Sequence, residues 1–130
     1  MKEPIAINEY YEIFIDKEKN RAYMTFRGFW KSLETVPDIE KDLTAYPKIL
    51  KPQFTTLLDL REFKTPGPDV MEKFIEIQQE NAKHEYYKAA RIVTQPLERL
   101  AADRVGKEGD IKEKTAFFNN LEEAEMWLDE

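Results

Sequence analysis

Residues 54–83 constrain this chain more than any other stretch. They open with Phe54, Thr55, Thr56, Leu57 and Leu58, a run too apolar for a surface, and reach Asp59-Leu60. A polar segment punctuated by Pro66, Gly67 and Pro68 follows, and then Val70, Met71, Phe74, Ile75 and Ile77 recur at helical spacing. The pattern predicts a buried strand ending at Asp59, a short loop, and an amphipathic helix from about Pro68 to Lys83. Open α/β sheets place functional groups on loops at the carboxyl ends of their strands. The loop 59–69 is therefore the first candidate for function.

The flanking segments supply the rest of a sheet. Tyr11, Ile13 and Ile15 alternate with Tyr10, Glu12, Phe14 and Asp16; after the charged turn 16–20, Ala22, Met24 and Phe26 alternate with Arg21, Tyr23, Thr25 and Arg27. Two period-two runs around a short polar turn predict a β-hairpin. Val36, Ile39, Leu43 and Tyr46 form a helical stripe, with Thr35 as its cap, Pro37 tolerated in the first turn and Pro47 as its end. Trp30, Phe29 and Tyr46 are expected in core or hairpin packing, with an exposed aromatic interface as the alternative. Residues 89–93 read as a short strand, and Leu97, Leu100, Ala101 and Val105 as a third helix. A last strand covers 115–118, and Asn120 with Glu123 caps a closing helix carrying Leu121, Ala124, Trp127 and Leu128. The expected order is ββαβαβαβα: a single-domain α/β fold with a mixed sheet, an opening antiparallel hairpin, a parallel remainder and helices packed on the sheet. Residues 1–8 read as a loose lead-in and 9–130 as the domain.

Composition narrows the function classes. The chain has 130 residues, a net charge of −6 and no cysteine. That balance gives a polyphosphate no long-range attraction, so no nucleic-acid partner is expected. Thiolate chemistry and cysteine-based zinc sites are excluded. No segment approaches the roughly 18 apolar residues of a membrane span, and the acidic, proline-containing start does not resemble a signal peptide. A cytoplasmic location is expected.

No constellation points to catalysis. His84 is the single histidine and Ser32 the single serine, so neither a histidine metal cluster nor a Ser/His triad is supported. Asp59 and Glu62 are candidates for a carboxylate pair, but a strand end and loop do not fix their separation. Asp59 is better read as an acceptor for loop amides. An anion at the start of the second helix is opposed by Pro66 and Pro68, which lack an N–H, and by Asp69. Arg91, Thr94, Gln95 and Arg99, with Arg61, are expected on one surface at the carboxyl edge of the sheet. Tyr86 and Tyr87 are candidates for a sheet-edge or homodimer contact. No cofactor and no metal is expected, and the chain does not read as an enzyme.

The order of elements, with LLDLREFKTPG before an amphipathic helix, then AARIV and a closing FFNNLEEAEMWL, resembles the STAS-like domains. That superfamily includes bacterial anti-sigma factor antagonists and, with the same fold, lipid-carrying Sec14-type domains. The opening YYEIFIDKEKNRAYMTFRGF is similar to the first hairpin of small stand-alone bacterial members. The resemblance covers roughly residues 9–129. It implies a regulatory protein-interaction module, with a small apolar or lipid ligand as the alternative. In the antagonists a strand ending in an acid leads to an Asp-Ser pair whose serine is phosphorylated by a partner kinase. Here Asp59 matches the strand-end acid and Thr65 falls at the serine's position, while Lys64 replaces the acid and Pro66 follows directly. By this resemblance Asp59, Arg61, Lys64, Thr65 and Asp69, with Arg91 and Arg99 nearby, are the expected contacts of a protein partner, and Thr65 the expected phosphorylation site.

Overall fold

The structure is a computed structural model that describes residues 1–95, 100 and 114–130. Six strands form one sheet in chain order: β1 (Lys2–Ile7), β2 (Tyr11–Asp16), β3 (Arg21–Gly28), β4 (Phe54–Phe63), β5 (Tyr86–Ile92) and β6 (Thr115–Phe118). β1, β2 and β3 pair antiparallel; β3–β4, β4–β5 and β5–β6 pair parallel. The mixed α/β sheet is as expected. Four helices lie among the described residues: α1 (Ile39–Leu43), α2 (Tyr46–Ile49), α3 (Pro68–Asn81) and α4 (Leu121–Asp129). The helix expected around Leu97 and Val105 lies outside the described residues.

Strand alternation sorts the side chains onto two faces. Ile13, Ile15, Ala22, Met24, Phe26, Phe54, Leu58, Leu60 and Ala89 pack with Ile39, Leu43, Val70, Phe74 and Ile77 in one core. On the other face Leu57, Ala90 and Ile92 pack with Ala124 and Leu128 of α4. The strands after β3 advance one way across the sheet, so right-handed crossovers put α1–α3 on the same side. α4 follows the last strand and covers the opposite side. Its start is the expected one: Asn120 accepts from the Glu123 N–H at 2.9 Å.

Three local expectations are corrected. Residues 2–7 are a strand, not a loose lead-in; Ile5 and Ala6 pack against the core, and Pro4 is tolerated because β1 is an edge. The stripe from Val36 to Tyr46 is two short helices rather than one. Thr35 does not cap it, since its N–H bonds back to the Ser32 carbonyl in a turn, and Pro47 sits in the first turn of α2 instead of ending a helix. Finally, β4 does not stop at Asp59 but runs on to Phe63. Between the pairs Thr25↔Asp59 and Arg27↔Glu62, β4 carries one more residue than β3. This bulge adds a residue without ending the pairing.

α4 is fastened by an arginine whose partners are far away in sequence. Arg21 is buried on β3; its Nε donates to Thr55 Oγ1 at 2.7 Å, its Nη2 to Asp129 at 2.9 Å, and its Nη1 to Glu125. Arg21→Met keeps most of the volume and strips α4 of these bonds. Because Glu125 and Asp129 are partly exposed and regain water, we expect a loss of about 2 kcal/mol, measurable by urea denaturation.

Candidate functional site

The loop after β4 is stitched to the segment after β3. The Lys64 N–H donates to the Gly28 carbonyl at 3.0 Å, and the Gly67 N–H to the Trp30 carbonyl at 3.0 Å. Across the same seam the Leu33 N–H donates to Asp69 Oδ2 at 3.0 Å, while Asp69 Oδ1 accepts from the Val70 N–H. Gly67 is required where the two segments touch: a Cβ there would lie 2.0 Å from the Lys31 carbonyl oxygen. Pro66 and Gly67 are buried and Lys64 and Thr65 exposed, so a fixed backbone presents two free polar side chains.

The acid and arginine of the bulge are engaged with each other. Arg61 donates from Nε to Asp59 Oδ1 at 3.0 Å, from Nη2 to Oδ2 at 2.7 Å, and from its backbone N–H to Oδ1 at 3.1 Å. Burial alone would raise the Asp59 pKa; the Arg61 hydrogen bonds and charge outweigh it and hold the carboxyl below its usual value. A depressed carboxylate stabilises the fold above the unfolded-state pKa of about 3.9, and that contribution is lost as pH falls through the folded value. With Arg61 partly exposed, Asp59→Asn should cost about 1 kcal/mol at pH 7. The difference from wild type should shrink as pH falls below the unfolded-state value in a pH series of denaturation curves, because the protonated acid is as neutral as the amide. Glu62 is exposed and acts on the pair only through its charge, which helps raise the Arg61 pKa.

The remaining expected contacts do not assemble here. Arg91 is buried rather than on the carboxyl-edge surface. Alternation puts it on the same face as Ala89 and Val93, beneath the helices, and it pairs with Leu58 in register. Thr94 and Gln95 are exposed beyond β5; Arg99 lies outside the described residues. Tyr86 is buried and Tyr87 is 44 % exposed, but β5 is an inner strand, so this pair is not at a sheet edge.

The structure decides between the two placements open for the aromatics after β3. Phe29 is 52 % exposed while its neighbour Trp30 is fully buried. Phe29 follows Gly28, which has φ +77° and whose carbonyl receives the Lys64 amide. A left-handed glycine directly before two aromatics is the only local signal that the chain turns there, sending one ring in and the other out. Phe29, Lys31, Lys64 and Thr65 thus share one end of the sheet.

Beneath α3 the core is closely filled. Met71, Phe74 and Ile75 are all buried, and the cavity against the end of α3 measures about 20 Å³. A groove of about 380 Å³ lies elsewhere, lined by Asn8, Tyr10, Tyr11, Thr35, Pro37 and Asp38 among others. On its wall the Tyr11 hydroxyl donates to Asp42 at 2.5 Å, and burial together with that acid raises the phenol's pKa. No group of His, Asp or Glu side chains among the described residues is arranged to hold a metal ion. No helix among them is long and apolar enough to cross a membrane.

Fold and site together define a mixed α/β sheet domain with a clamped loop at the carboxyl end of its central strand. No protein-family model matches the chain, and no curated protein matches it significantly.

Proposed function

We propose that the chain is a non-enzymatic, STAS-like interaction module that presents the 59–69 loop, with Phe29 beside it, to a protein partner. The observation that carries this reading is the clamp between residues 28–33 and 64–69. Its backbone is fixed before any partner arrives, so little ordering entropy opposes association. The surface it displays carries an exposed aromatic ring, a residue class enriched at protein interfaces, with the polar Lys31, Lys64 and Thr65 at its rim. Asp59, Arg61 and Asp69 serve this reading as internal ties, leaving Phe29, Lys31, Lys64 and Thr65 as the contacts. The alternative, a Sec14-like carrier of a small apolar ligand, draws no support from the filled space around Met71, Phe74 and Ile75.

The test is recovery of bound proteins from a lysate of the source organism. Wild type is compared with a Phe29→Ala, Lys64→Ala double variant and with a Leu121→Ala, Met126→Ala control on the opposite face. Loss of one or more discrete partners in the first variant alone is the expected result. Equal recovery by all three proteins rejects the loop as the contact surface. Thr65 is addressed by incubation with the kinases of that lysate and mass measurement; absence of phosphate in every condition removes phosphorylation from the reading.

A further inference from the structure

β2 runs antiparallel to β3, so the turn before Tyr11 lies at the end of the sheet where β3 finishes and the 59–69 loop begins. The groove of about 380 Å³ lies there, between this turn and the one that leads into α1. The Asn8 side chain fixes the first wall, accepting from the Tyr10 and Tyr11 N–H groups at 2.8 and 2.9 Å. The second wall continues from the clamp. The Leu33 N–H donates to Asp69, and the Leu33 carbonyl accepts from the Val36 N–H at 3.2 Å. Both walls are therefore in place before anything enters.

The charge of this groove has one sign. Glu9 and Asp38 line it, and no Lys, Arg or His does so among the described residues. Glu9 is exposed and forms no ion pair among those residues. Asp38 opens α1 without a side-chain capping bond. Its ion pair with Lys41 spans 4.0 Å with both side chains mostly exposed, so it is held weakly. Arg27, which donates to the Asn8 carbonyl, is engaged by Glu12 at 3.2 Å. The negative field also reaches the buried wall. Burial and Asp42 raise the pKa of the Tyr11 phenol, and the charge of Asp38 adds to the rise.

We propose that this groove receives a basic side chain, an arginine or a lysine, of the protein partner that contacts the 59–69 loop. The inference rests on the reading of that loop as a partner surface and adds the chemistry the partner must carry. An anion would be repelled by both carboxylates. A free small molecule fits less well, because Asn8, Glu9, Pro37 and Asp38 are all exposed. A groove so open leaves much of a small ligand in water, whereas sites for free ligands bury most of theirs. A side chain tethered at the loop arrives at high effective concentration and needs less burial.

Amide shifts of the isotope-labelled protein decide the chemistry. N-acetylarginine amide should shift the Glu9, Thr35 and Asp38 amides saturably, with half-saturation on the order of 10 mM. Neutral N-acetylcitrulline amide should not. Glu9→Gln combined with Asp38→Asn, both at exposed positions, should weaken the arginine probe about tenfold. No saturable shift, equal shifts from citrulline, or an unchanged half-saturation in this double variant overturns the groove as a cation site, whatever the loop variant does. The lysate comparison then decides the source of the cation. The protein lost by Phe29→Ala, Lys64→Ala should also be lost by Glu9→Gln, Asp38→Asn. Its full recovery by the latter leaves the loop reading standing and overturns the partner as the source, in favour of a free amine. If the probe binds and neither variant loses a protein, the loop reading fails and the partner's side chain falls with it.

Discussion

Trp30→Ala should lower the unfolding free energy by about 4 kcal/mol, at the upper end for a single substitution. The indole is fully buried and lies in the core on the α1–α3 side of the sheet. Its centroid lies 4.7 Å from Phe26 of β3 and from Phe63 of β4, 5.6 Å from Phe74 of α3, and 5.7 Å from Tyr11 of β2. Its Nε1–H is also satisfied, donating to the Arg27 carbonyl at 2.8 Å. Alanine would leave a cavity that four elements cannot close together, because each is also held by the sheet or by α3. For a domain of this length the thermal midpoint should fall by roughly 12–15 °C. Trp30→Phe, which retains much of the ring area, should cost less than half as much. Calorimetry of the two variants checks the ratio; equal losses would show that the indole nitrogen, not the packing, carries the effect.

Gly67→Ala should cost about 3 kcal/mol and shift the midpoint by roughly 10 °C. The reason is space rather than backbone freedom. Gly67 has φ −64° and ψ 162°, a conformation open to any residue. The obstacle is the Lys31 carbonyl oxygen, 2.0 Å from the added carbon, and a backbone group cannot swing aside as a side chain can. Relief requires parting the two segments, which breaks the Gly67–Trp30 hydrogen bond and moves Phe29 and Lys31 relative to Lys64. If the proposed function holds, this variant should lose its partner while folded below its lowered midpoint. Near-wild-type stability in denaturant titrations would show that the two segments separate easily and that the clamp is weak.

How much of this was legible in the sequence depends on whether the deciding contact is local. The hairpin could be read because alternation on both sides of residues 16–20 is a local pattern, and the turn is closed by Asp16 Oδ1 accepting from the Glu18 and Lys19 amides. The helix from Pro68 could be read from its own stripe. The extension of β4 could not, because it depends on a bulge opposite β3. The strand at residues 2–7 carries charges and Pro4 and gains its order only from pairing with β2. Arg91 was misplaced for a different reason. Its alternation with Ala89 and Val93 points inward, but arginine is so rarely buried that residue type outweighed the pattern. Within the candidate site, Lys64 and Thr65 stand exposed in the loop where the sequence placed them. The engagement of Asp59 with Arg61 and the outward turn of Phe29 needed the three-dimensional neighbours.

The bonds of Arg21 also bear on the order in which the molecule can be completed. Its acidic partners lie 104 and 108 residues further along. During synthesis β2, β3 and β4 can pair as they emerge, yet this guanidinium stays without its carboxylates until the ribosome has passed Asp129. A nascent chain therefore carries an unfinished side until α4 docks, and a chain stalled before Glu125 would expose Leu57, Ala90 and Ile92 to whatever binds bare apolar sheet.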